Sequence, residues 1–366
     1  MYVCTVFNER VKYASADINW KKVVWRGCAL SLQQVISQYS LEEIIDVQPI
    51  SVGLIHQTFA LHTVSKETYI LQGLHHKLSS DEILSDYEAV TTHLAQEKYG
   101  GPQLIKTRGG GRCAEGDQLR WRLSTFVPGE TLTELTSELT AYIGGKALAE
   151  FHQVMSTINY HFQSTHPGHD TEGHLARLVA ASEKSEYQVH WSEIREIGTH
   201  IIEALSKSLF PADLKRQVVH GDPKISNLRF TEGHAVMIDL DTCNLHTRLV
   251  DLGDAVRSWC HRPRSALGER FCIHTWQAMV RGYLERATPL DELEREWLPK
   301  AGYVITLELA SRFARDYLED DYFAYDEINF SSRRAHNQHR LKTMWILAEE
   351  MRQAEPNLVK FLRSLA

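Results

Sequence analysis

The stretch with the most chemically capable side chains is VVHGDPKISNLRF, which runs from Val218 to Phe230. It holds a histidine, an aspartate, a lysine and an asparagine within eight residues, directly after an apolar pair. Eight residues past Asn227 the chain becomes apolar again and reads AVMIDLDTC, which carries Asp239 and Asp241. The pattern predicts two short strands with a polar catalytic loop between them.

Phosphoryl transfer requires side chains of these types. A carboxylate must lie beside the attacking hydroxyl, and oxygen ligands must hold Mg²⁺ against the phosphates, because positioning and charge neutralisation dominate this chemistry. Asp222, Lys224, Asn227 and Asp239 supply a base, a cation, an amide oxygen and a second carboxylate. The step from Asp222 to Asn227 is that of the kinase catalytic loop. An H-G-D triplet alone is usually a turn, but the set in this order predicts a phosphotransferase.

The chain before this loop has the patterns of a small antiparallel sheet with one long helix. Apolar residues at helical spacing predict helices at 31–47 and 79–100. Alternating polarity around turns predicts strands within 47–64, 67–74 and 109–127.

After Pro128 helical patterns dominate the sequence. Helices are predicted at 137–157, about 171–209, 265–288 and 292–320, and the only strand-like runs lie at 216–220, 227–230 and 234–240. The expected fold class is therefore α+β in two lobes. The expected divisions are an N-terminal extension of no recognisable role at 1–38, a nucleotide-binding β lobe at 39–127, and a mostly helical lobe at 128–366.

Composition narrows the class of protein. The 366 residues are 43% hydrophobic with a net charge of −7, which predicts an ordered globular chain and argues against a nucleic-acid partner. No apolar run approaches the roughly 18 residues that cross a membrane, and no secretory signal is recognisable at the start. None of the six cysteines forms a C-x-x-C pair. We expect a cytoplasmic protein that acts on a small molecule.

The motif HGDPKISN…IDLDT resembles the aminoglycoside phosphotransferase and choline kinase superfamily, whose small-molecule kinases share a protein-kinase-like bilobal fold. It is similar in particular to the N-acetylhexosamine 1-kinase branch. Other stretches carry the same resemblance, which covers about 48–350: YILQ at 69–72, HPGHDT at 166–171, VDLGDAVR at 250–257 and LASRFARDYLEDDYF at 309–323. The resemblance implies ATP or GTP as phosphoryl donor, Mg²⁺, and a sugar such as an N-acetylhexosamine as acceptor.

The resemblance also implies roles for the loop residues. Asp222 matches the catalytic base, and Lys224 matches a lysine that contacts phosphate. Asn227 and Asp239 match the magnesium ligands. Asp241 matches a further carboxylate that supports the metal ligands or binds a second metal, and a plain strand-end residue is the alternative.

For the nucleotide, the resemblance points to residues before the loop. Gly53 lies in the turn over the phosphates, Gln72 stands where protein kinases have a strand lysine, and Glu88 matches the helix glutamate that would pair with it. The adenine is expected on backbone groups near Thr125 and Val127. Gln72 is a departure from protein kinases, since an amide binds phosphate oxygens more weakly than an ammonium group.

The acceptor is expected to contact Arg312, Tyr317 and Tyr322 in the late helices, and His56 in the first hairpin. A charged or core helix face is the alternative for the first three. Two other functions stay open: the same chemistry on an aminoglycoside, a choline-like alcohol or homoserine, and a catalytically silent nucleotide-binding module, for which Gln72 is the only support.

Overall fold

The computed structural model describes residues 32–50, 56–116, 118–135, 137–164, 168–264 and 268–365. They form two compact units. The first unit comprises the described residues up to Gly129, with residues 158–164 and Ile238–Asp241. The second comprises the remaining described residues and is the larger.

The first unit is built on a six-stranded antiparallel sheet in which β5 pairs with β6 and the other strands follow the order β1-β2-β3-β6-β4. The strands are β1 Ile44–Ile50, β2 Gln57–Thr63, β3 Thr68–Gly73, β4 Leu104–Ile105, β5 Ala114–Glu115 and β6 Arg120–Thr125. Alternating apolar residues of these strands, such as Phe59, Leu61, Leu71 and Leu123, are buried in one cluster. The predicted small antiparallel sheet is confirmed.

Two helices accompany this sheet, α1 at Leu32–Ile36 and α2 at Asp81–Gln96. Ser80 caps α2, because its hydroxyl accepts a hydrogen bond from the Ile83 N–H group. The helix predicted at 31–47 is wrong beyond Ile36, since the IIDVQPI segment pairs with β2 along its length. Pairing with a neighbouring strand outweighs a helical spacing that spans only four turns.

The described part of the predicted N-terminal extension, residues 32–38, packs into the first unit. Val35 and Ile36 are buried in the core of the first unit together with Tyr39, whose hydroxyl accepts a hydrogen bond from the Ala114 N–H group. Residues 32–38 therefore belong to the folded unit. Residues 1–31 lie outside the described part of the chain.

The second unit is mostly helical, as predicted. Its helices are α3 Glu138–Met155, α4 Thr171–Glu183, α5 Gln188–Ser206, α6 Arg248–Trp259, α7 Ile273–Arg286, α8 Glu292–Glu319 and α9 Arg333–Ser364. Its strands form three two-stranded ladders: β7 Gln217–Val219 with β10 Asn244–His246, β8 Leu228–Thr231 with β9 His234–Met237, and β11 His261–Arg264 with β12 Gly268–Phe271.

Two predicted helices of this unit need correction, and one helix was missed. The helix predicted over 171–209 is two helices, because Lys184 adopts an extended conformation and ends α4. Within the segment 265–288, Gly268–Phe271 form strand β12, and the helix begins only at Ile273. Helix α9 was not predicted. No helix in the described residues is both long and apolar enough to cross a membrane.

A buried ion pair fixes the start of α6, the helix beneath the predicted catalytic loop. The Arg248 guanidinium donates hydrogen bonds of 2.7 and 2.6 Å to the two carboxylate oxygens of Glu294, near the start of α8. Glu294 also closes a capping box with Asp291. The position of α6 matters because its side chains hold the loop.

Candidate active site

The predicted catalytic loop lies in the second unit and connects β7 to β8. It needs glycine at position 221, where φ is +82° and a Cβ atom would lie 2.3 Å from the carbonyl oxygen of Thr242. Ile225–Asn227 form a single 3₁₀ turn before β8 begins. The expected arrangement of strand, polar loop and strand is confirmed.

Asp251 of α6 holds the start of this loop. Its carboxylate accepts hydrogen bonds from the N–H groups of His220 at 2.6 Å and Gly221 at 2.8 Å, and from His152 Nε2 at 2.8 Å. Burial would raise the pKa of Asp251, but the bonds from His152 and the backbone outweigh burial and lower it. A fully buried carboxylate thus stays charged and fixes the backbone just before Asp222.

The rest of the loop is tied to the C-terminal half of α6. Ser258 Oγ accepts a hydrogen bond from the Ile225 N–H group at 3.1 Å. The Trp259 indole donates a 2.9 Å hydrogen bond to the carbonyl oxygen of Pro223. These contacts position the loop on both sides of its reactive residues.

Asp222 stands at the centre of the polar residues of the loop. Lys224 Nζ donates to its Oδ2 at 2.6 Å, and Asn227 Nδ2 donates to its carbonyl oxygen at 2.8 Å and to Oδ2 at 3.2 Å. These bonds turn the nitrogen of the Asn227 amide toward Asp222 and leave the amide oxygen as the end directed elsewhere. The structure therefore brings Asp222, Lys224 and Asn227 together as predicted.

Asp239 and Asp241 lie in the first unit, in a cluster with His56. One ligand atom from each of the three lies within 4.8 Å of the others, a grouping that fits a divalent cation. Asp239 has φ of 65°, a left-handed conformation that Asp tolerates better than most residues. A constrained backbone at this point agrees with a functional position. His56 Nε2 lies 3.4 Å from Asp241 Oδ2, and His56 Nδ1 accepts a hydrogen bond from the His75 N–H group. The predicted contact of His56 with the acceptor stays a prediction.

Sequence reasoning missed the residue that holds Asp241. Arg122 of β6 is 1% exposed, and its two terminal nitrogens donate to the two carboxylate oxygens of Asp241, one of them at 2.7 Å. Burial would raise the pKa of Asp241, but the Arg122 charge and hydrogen bonds hold it well below its usual range. Arg122 looked like one of several alternating polar residues of a strand, and only its partners reveal its importance.

Gln72 and Glu88 do not form the pair that protein kinases have at these positions. Glu88 pairs with Lys106 at 2.6 Å and with Arg112 at 2.5 Å, and both cations lower its pKa against the effect of burial. Gln72 Oε1 instead accepts a 2.8 Å hydrogen bond from Arg122 Nη2. Glu88 therefore pairs with two cations that do not belong to β3, and its predicted contact with the nucleotide stays a prediction.

Three other residues were predicted to contact the nucleotide. Gly53 lies outside the described residues. The Thr125 N–H group donates to the carbonyl oxygen of Gln103, and the Thr125 hydroxyl accepts from the Gln103 N–H group. These two groups of Thr125 hold the end of β6, and its predicted contact with adenine stays a prediction. Val127 is buried in the first unit, and its predicted contact with adenine stays a prediction.

The predicted acceptor residues in α8 and just after it separate into two groups. Tyr322 is 49% exposed and lies edge-on to Phe323, and the Arg312 guanidinium lies 5.9 and 5.5 Å from their ring centroids. Tyr317 is buried, and its hydroxyl donates to Glu193. Tyr317 therefore packs the helical unit, which does not fit the predicted acceptor contact, whereas Arg312 and Tyr322 form one group.

A buried polar cluster beside the catalytic loop was also missed, because the stretch HPGHDT was considered only as part of the family resemblance. His169 Nδ1 lies 2.9 Å from Glu308 Oε1, and the Thr171 hydroxyl donates to Glu308 Oε2 at 2.6 Å. Burial alone would lower the pKa of His169, but Glu308 raises it to about 9. The preceding residue, Gly168, lies against Gly221.

The sequence pattern of the phosphotransferase enzyme family (APH) matches residues 46–287. The chain belongs to this family, and it is a phosphotransferase. The fold and the loop predicted from sequence agree with this assignment.

Individual relatives are distant. The homoserine kinase of Bradyrhizobium diazoefficiens is 24% identical over 269 residues, which are 73% of this chain and 78% of that protein. A solved structure of amicoumacin kinase with AMP-PNP, Ca²⁺ and its ligand has a TM-score of 0.61 at 15% identity, covering 92% of this chain and 96% of that one. A microcompartment-associated aminopropanol kinase has a TM-score of 0.59 at 15% identity, with coverage of 88% and 97%. At these identities the solved structures show the kinase-like α+β fold alone.

Proposed function

We propose that this phosphotransferase moves the γ-phosphate of ATP to a hydroxyl group of a small molecule. The observation that carries the proposal is the loop geometry, in which Asp222 is 30% exposed and is held by Lys224 and Asn227 on a backbone fixed by Asp251. A partly exposed carboxylate on a rigid loop is suited to orient an acceptor hydroxyl and to receive its proton.

Lys224 has a second task in this proposal. Its ammonium group lies 2.6 Å from Asp222 Oδ2 and is 37% exposed, so it can reach beyond the carboxylate. A cation at this position offsets the negative charge of the transferred phosphoryl group. The base and the cation thus act on opposite partners of the same bond-forming step.

The metal ligands proposed are Asn227 and Asp239. The Asn227 amide presents its oxygen because its nitrogen is bonded to Asp222, and Asp239 belongs to a carboxylate and imidazole cluster that fits a cation. Oxygen ligands are those that Mg²⁺ prefers, and bound Mg²⁺ would neutralise phosphate charge. Asp241 is engaged by Arg122 through both oxygens, so we assign it a bracing role and leave metal binding to the other two.

The acceptor proposed first is a sugar such as an N-acetylhexosamine, on the strength of the motif resemblance. Two buried atoms near the loop bear on this choice: Asp254 Oδ2 and His169 Nε2 have no hydrogen-bond partner among the described residues. Asp254 lies between Asp251 and Ser258 on the helix face that holds the loop. An acceptor with a donor for Asp254 and an acceptor atom for His169 would satisfy both.

A hydroxy amino acid is the second candidate, because its ammonium and carboxylate groups meet the same two requirements. The curated relatives named homoserine kinase favour it. A choline-like alcohol fits less well, since a quaternary ammonium group has no N–H to donate.

The test is a screen for product. Wild-type protein and Asp222→Asn are incubated with Mg²⁺ and either ATP or GTP, across sugars, hydroxy amino acids, amino alcohols and aminoglycosides. We expect a phosphorylated product, identified by mass, from the wild type with one acceptor class and none above background from the variant. Nucleotide binding without any phosphorylated product across the panel would instead support the silent module.

A further inference from the structure

We propose that Arg122 supplies from β6 the fixed positive charge that protein kinases place on the third strand, and that it orients Gln72 so that the Gln72 amide nitrogen donates to a nucleotide phosphate. Arg122 is a positioning residue, and Gln72 is the residue that contacts the ligand. The inference rests on the proposed function, because it names the phosphate contact of that nucleotide.

The register of the sheet places the two residues together. Gln72 of β3 and Arg122 of β6 are direct cross-strand partners. Residues opposite each other in an antiparallel ladder project from the same face of the sheet. A cation lost from one strand can therefore be supplied by its partner on the next strand with little displacement.

The guanidinium is held on several sides within the first unit. Both terminal nitrogens of Arg122 donate to Asp241, and the guanidinium carbon lies 3.6 Å from the centroid of the Tyr87 ring. Bidentate pairing and stacking on an aromatic face suit arginine and not lysine. The helix thus contributes the ring of Tyr87 to this cation, whereas the adjacent Glu88 is paired with Lys106 and Arg112.

This arrangement fixes the Gln72 amide. Arg122 Nη2 donates to Gln72 Oε1 at 2.8 Å, and a flipped amide would place N–H donors against N–H donors. The amide nitrogen is therefore the end that remains for a ligand, and its N–H groups match phosphate oxygens. Arg122 is only 1% exposed, so it acts on a ligand through Gln72 and not by direct contact.

The decisive variant is Gln72→Glu, which keeps the oxygen that Arg122 binds and replaces the donor nitrogen with a second oxygen. We measure binding of the non-hydrolysable analogue AMP-PNP with Mg²⁺ by calorimetry, together with KM, kcat and the thermal unfolding midpoint. Loss of one hydrogen bond to a charged group should weaken binding roughly ten- to a hundredfold. The unfolding midpoint should stay at the wild-type value or rise.

Arg122 itself is tested by restoring the charge on the other strand. Arg122→Gln should weaken AMP-PNP binding by a similar factor, and adding Gln72→Lys should recover roughly tenfold or more, because it returns a cation to β3 beside Asp241. Arg120→Gln is the matched control, since Arg120 lies two residues away on β6 and pairs with Asp81 and Glu115. It should leave AMP-PNP binding unchanged.

Two results would overturn the inference: wild-type AMP-PNP affinity in Gln72→Glu, or a double variant no better than a folded Arg122→Gln. If Arg122→Gln does not fold, Gln72→Glu alone decides. The proposed function fails separately, because AMP-PNP binding needs no turnover. Affinity that depends on Gln72 in a protein that phosphorylates nothing supports the inference and rejects the kinase, and normal transfer by Gln72→Glu at wild-type KM does the reverse.

Discussion

The catalytic loop and the Arg122 cluster solve the same problem, the fixing of charged groups, in opposite ways. In the loop, Asp222, Lys224 and Asn227 come from six consecutive residues and bond to one another. In the Arg122 cluster, Arg122 comes from β6, its partner Asp241 from the segment that follows β9, and Gln72 from β3. One arrangement is visible as a motif, and the other exists only once the strands pair.

The two regions differ in the substitutions that each can tolerate. In the loop, each role belongs to a fixed position in the sequence, so a change of residue at that position changes the chemistry. A cross-strand pair can exchange its two members without moving the backbone. If Arg122 has the role proposed above, a missing strand lysine does not imply a lost site, and Gln72 no longer supports the silent-module alternative.

The largest effect that would sharpen this comparison comes from the brace beneath the loop. Asp251→Asn replaces a buried acceptor of three hydrogen bonds with an amide whose N–H groups must face other donors. We expect the free energy of unfolding to fall by about 3–5 kcal/mol, the range for breaking a buried charged pair. Chemical denaturation measures it, and a loss below about 1 kcal/mol would remove Asp251 from the bracing role.

The next effect concerns magnesium. Asp239→Asn keeps an oxygen ligand and a side chain that tolerates the left-handed backbone, so the fold should be preserved. Loss of the carboxylate charge should weaken Mg²⁺-dependent AMP-PNP binding roughly ten- to a hundredfold, as calorimetry at several Mg²⁺ concentrations would show. An unchanged Mg²⁺ dependence with unchanged unfolding would contradict the assignment.

A smaller effect is expected from pH through the His169–Glu308 pair. The pKa of His169 is raised to about 9, so its stabilising contribution is complete below its unfolded pKa near 6.5 and is lost as pH rises toward 9. Glu308, lowered to about 2, loses its contribution only as pH falls from about 4.5 toward 2. We expect the free energy of unfolding to drop by on the order of 1–2 kcal/mol between pH 6.5 and 9.

His169→Gln is the control for that pH dependence. The variant should be less stable at pH 6.5, and the difference from the wild type should shrink as the pH approaches 9. A constant difference across this range would assign the drop to other groups.

The smallest effect is expected at Glu88. Its partners Lys106 and Arg112 are 54% and 40% exposed, and exposed pairs contribute about 1 kcal/mol or less. Glu88→Gln should therefore have little effect on stability. Because Glu88 is paired with Lys106 and Arg112 and not with Gln72, we also expect the AMP-PNP affinity to stay within about twofold of wild type, whereas protein kinases depend on the glutamate at this position. A tenfold loss of affinity without loss of stability would return Glu88 to the nucleotide site.

The sequence allowed the fold class and the catalytic loop to be predicted for a physical reason. Alternation, caps and turn residues act over a few residues, and so do the bonds among Asp222, Lys224 and Asn227. The helix expected at 31–47 failed because its second half gains more from pairing with β2 than from helical bonds. Local patterns do not record such pairing.

The Arg122 and His169 clusters were not predictable in the same way. Arg122 reaches Asp241 across 119 residues, and His169 reaches Glu308 across 139. No pattern among the neighbouring residues in the sequence indicates that either residue forms a buried ion pair. Tyr317 shows the reverse case, in which a local pattern indicated a role that the packing does not favour. It lies in a stretch that resembles the sugar-kinase branch, but it is buried, and its hydroxyl donates to Glu193.

The most direct measurement of the central claim compares wild type with Asp222→Asn, using the acceptor that the product screen identifies. We expect kcat to fall by about 10²–10⁴-fold, the usual contribution of a general base, with AMP-PNP affinity and the unfolding midpoint unchanged. A variant that retains more than half of the wild-type kcat would contradict the claim that Asp222 acts on the acceptor hydroxyl.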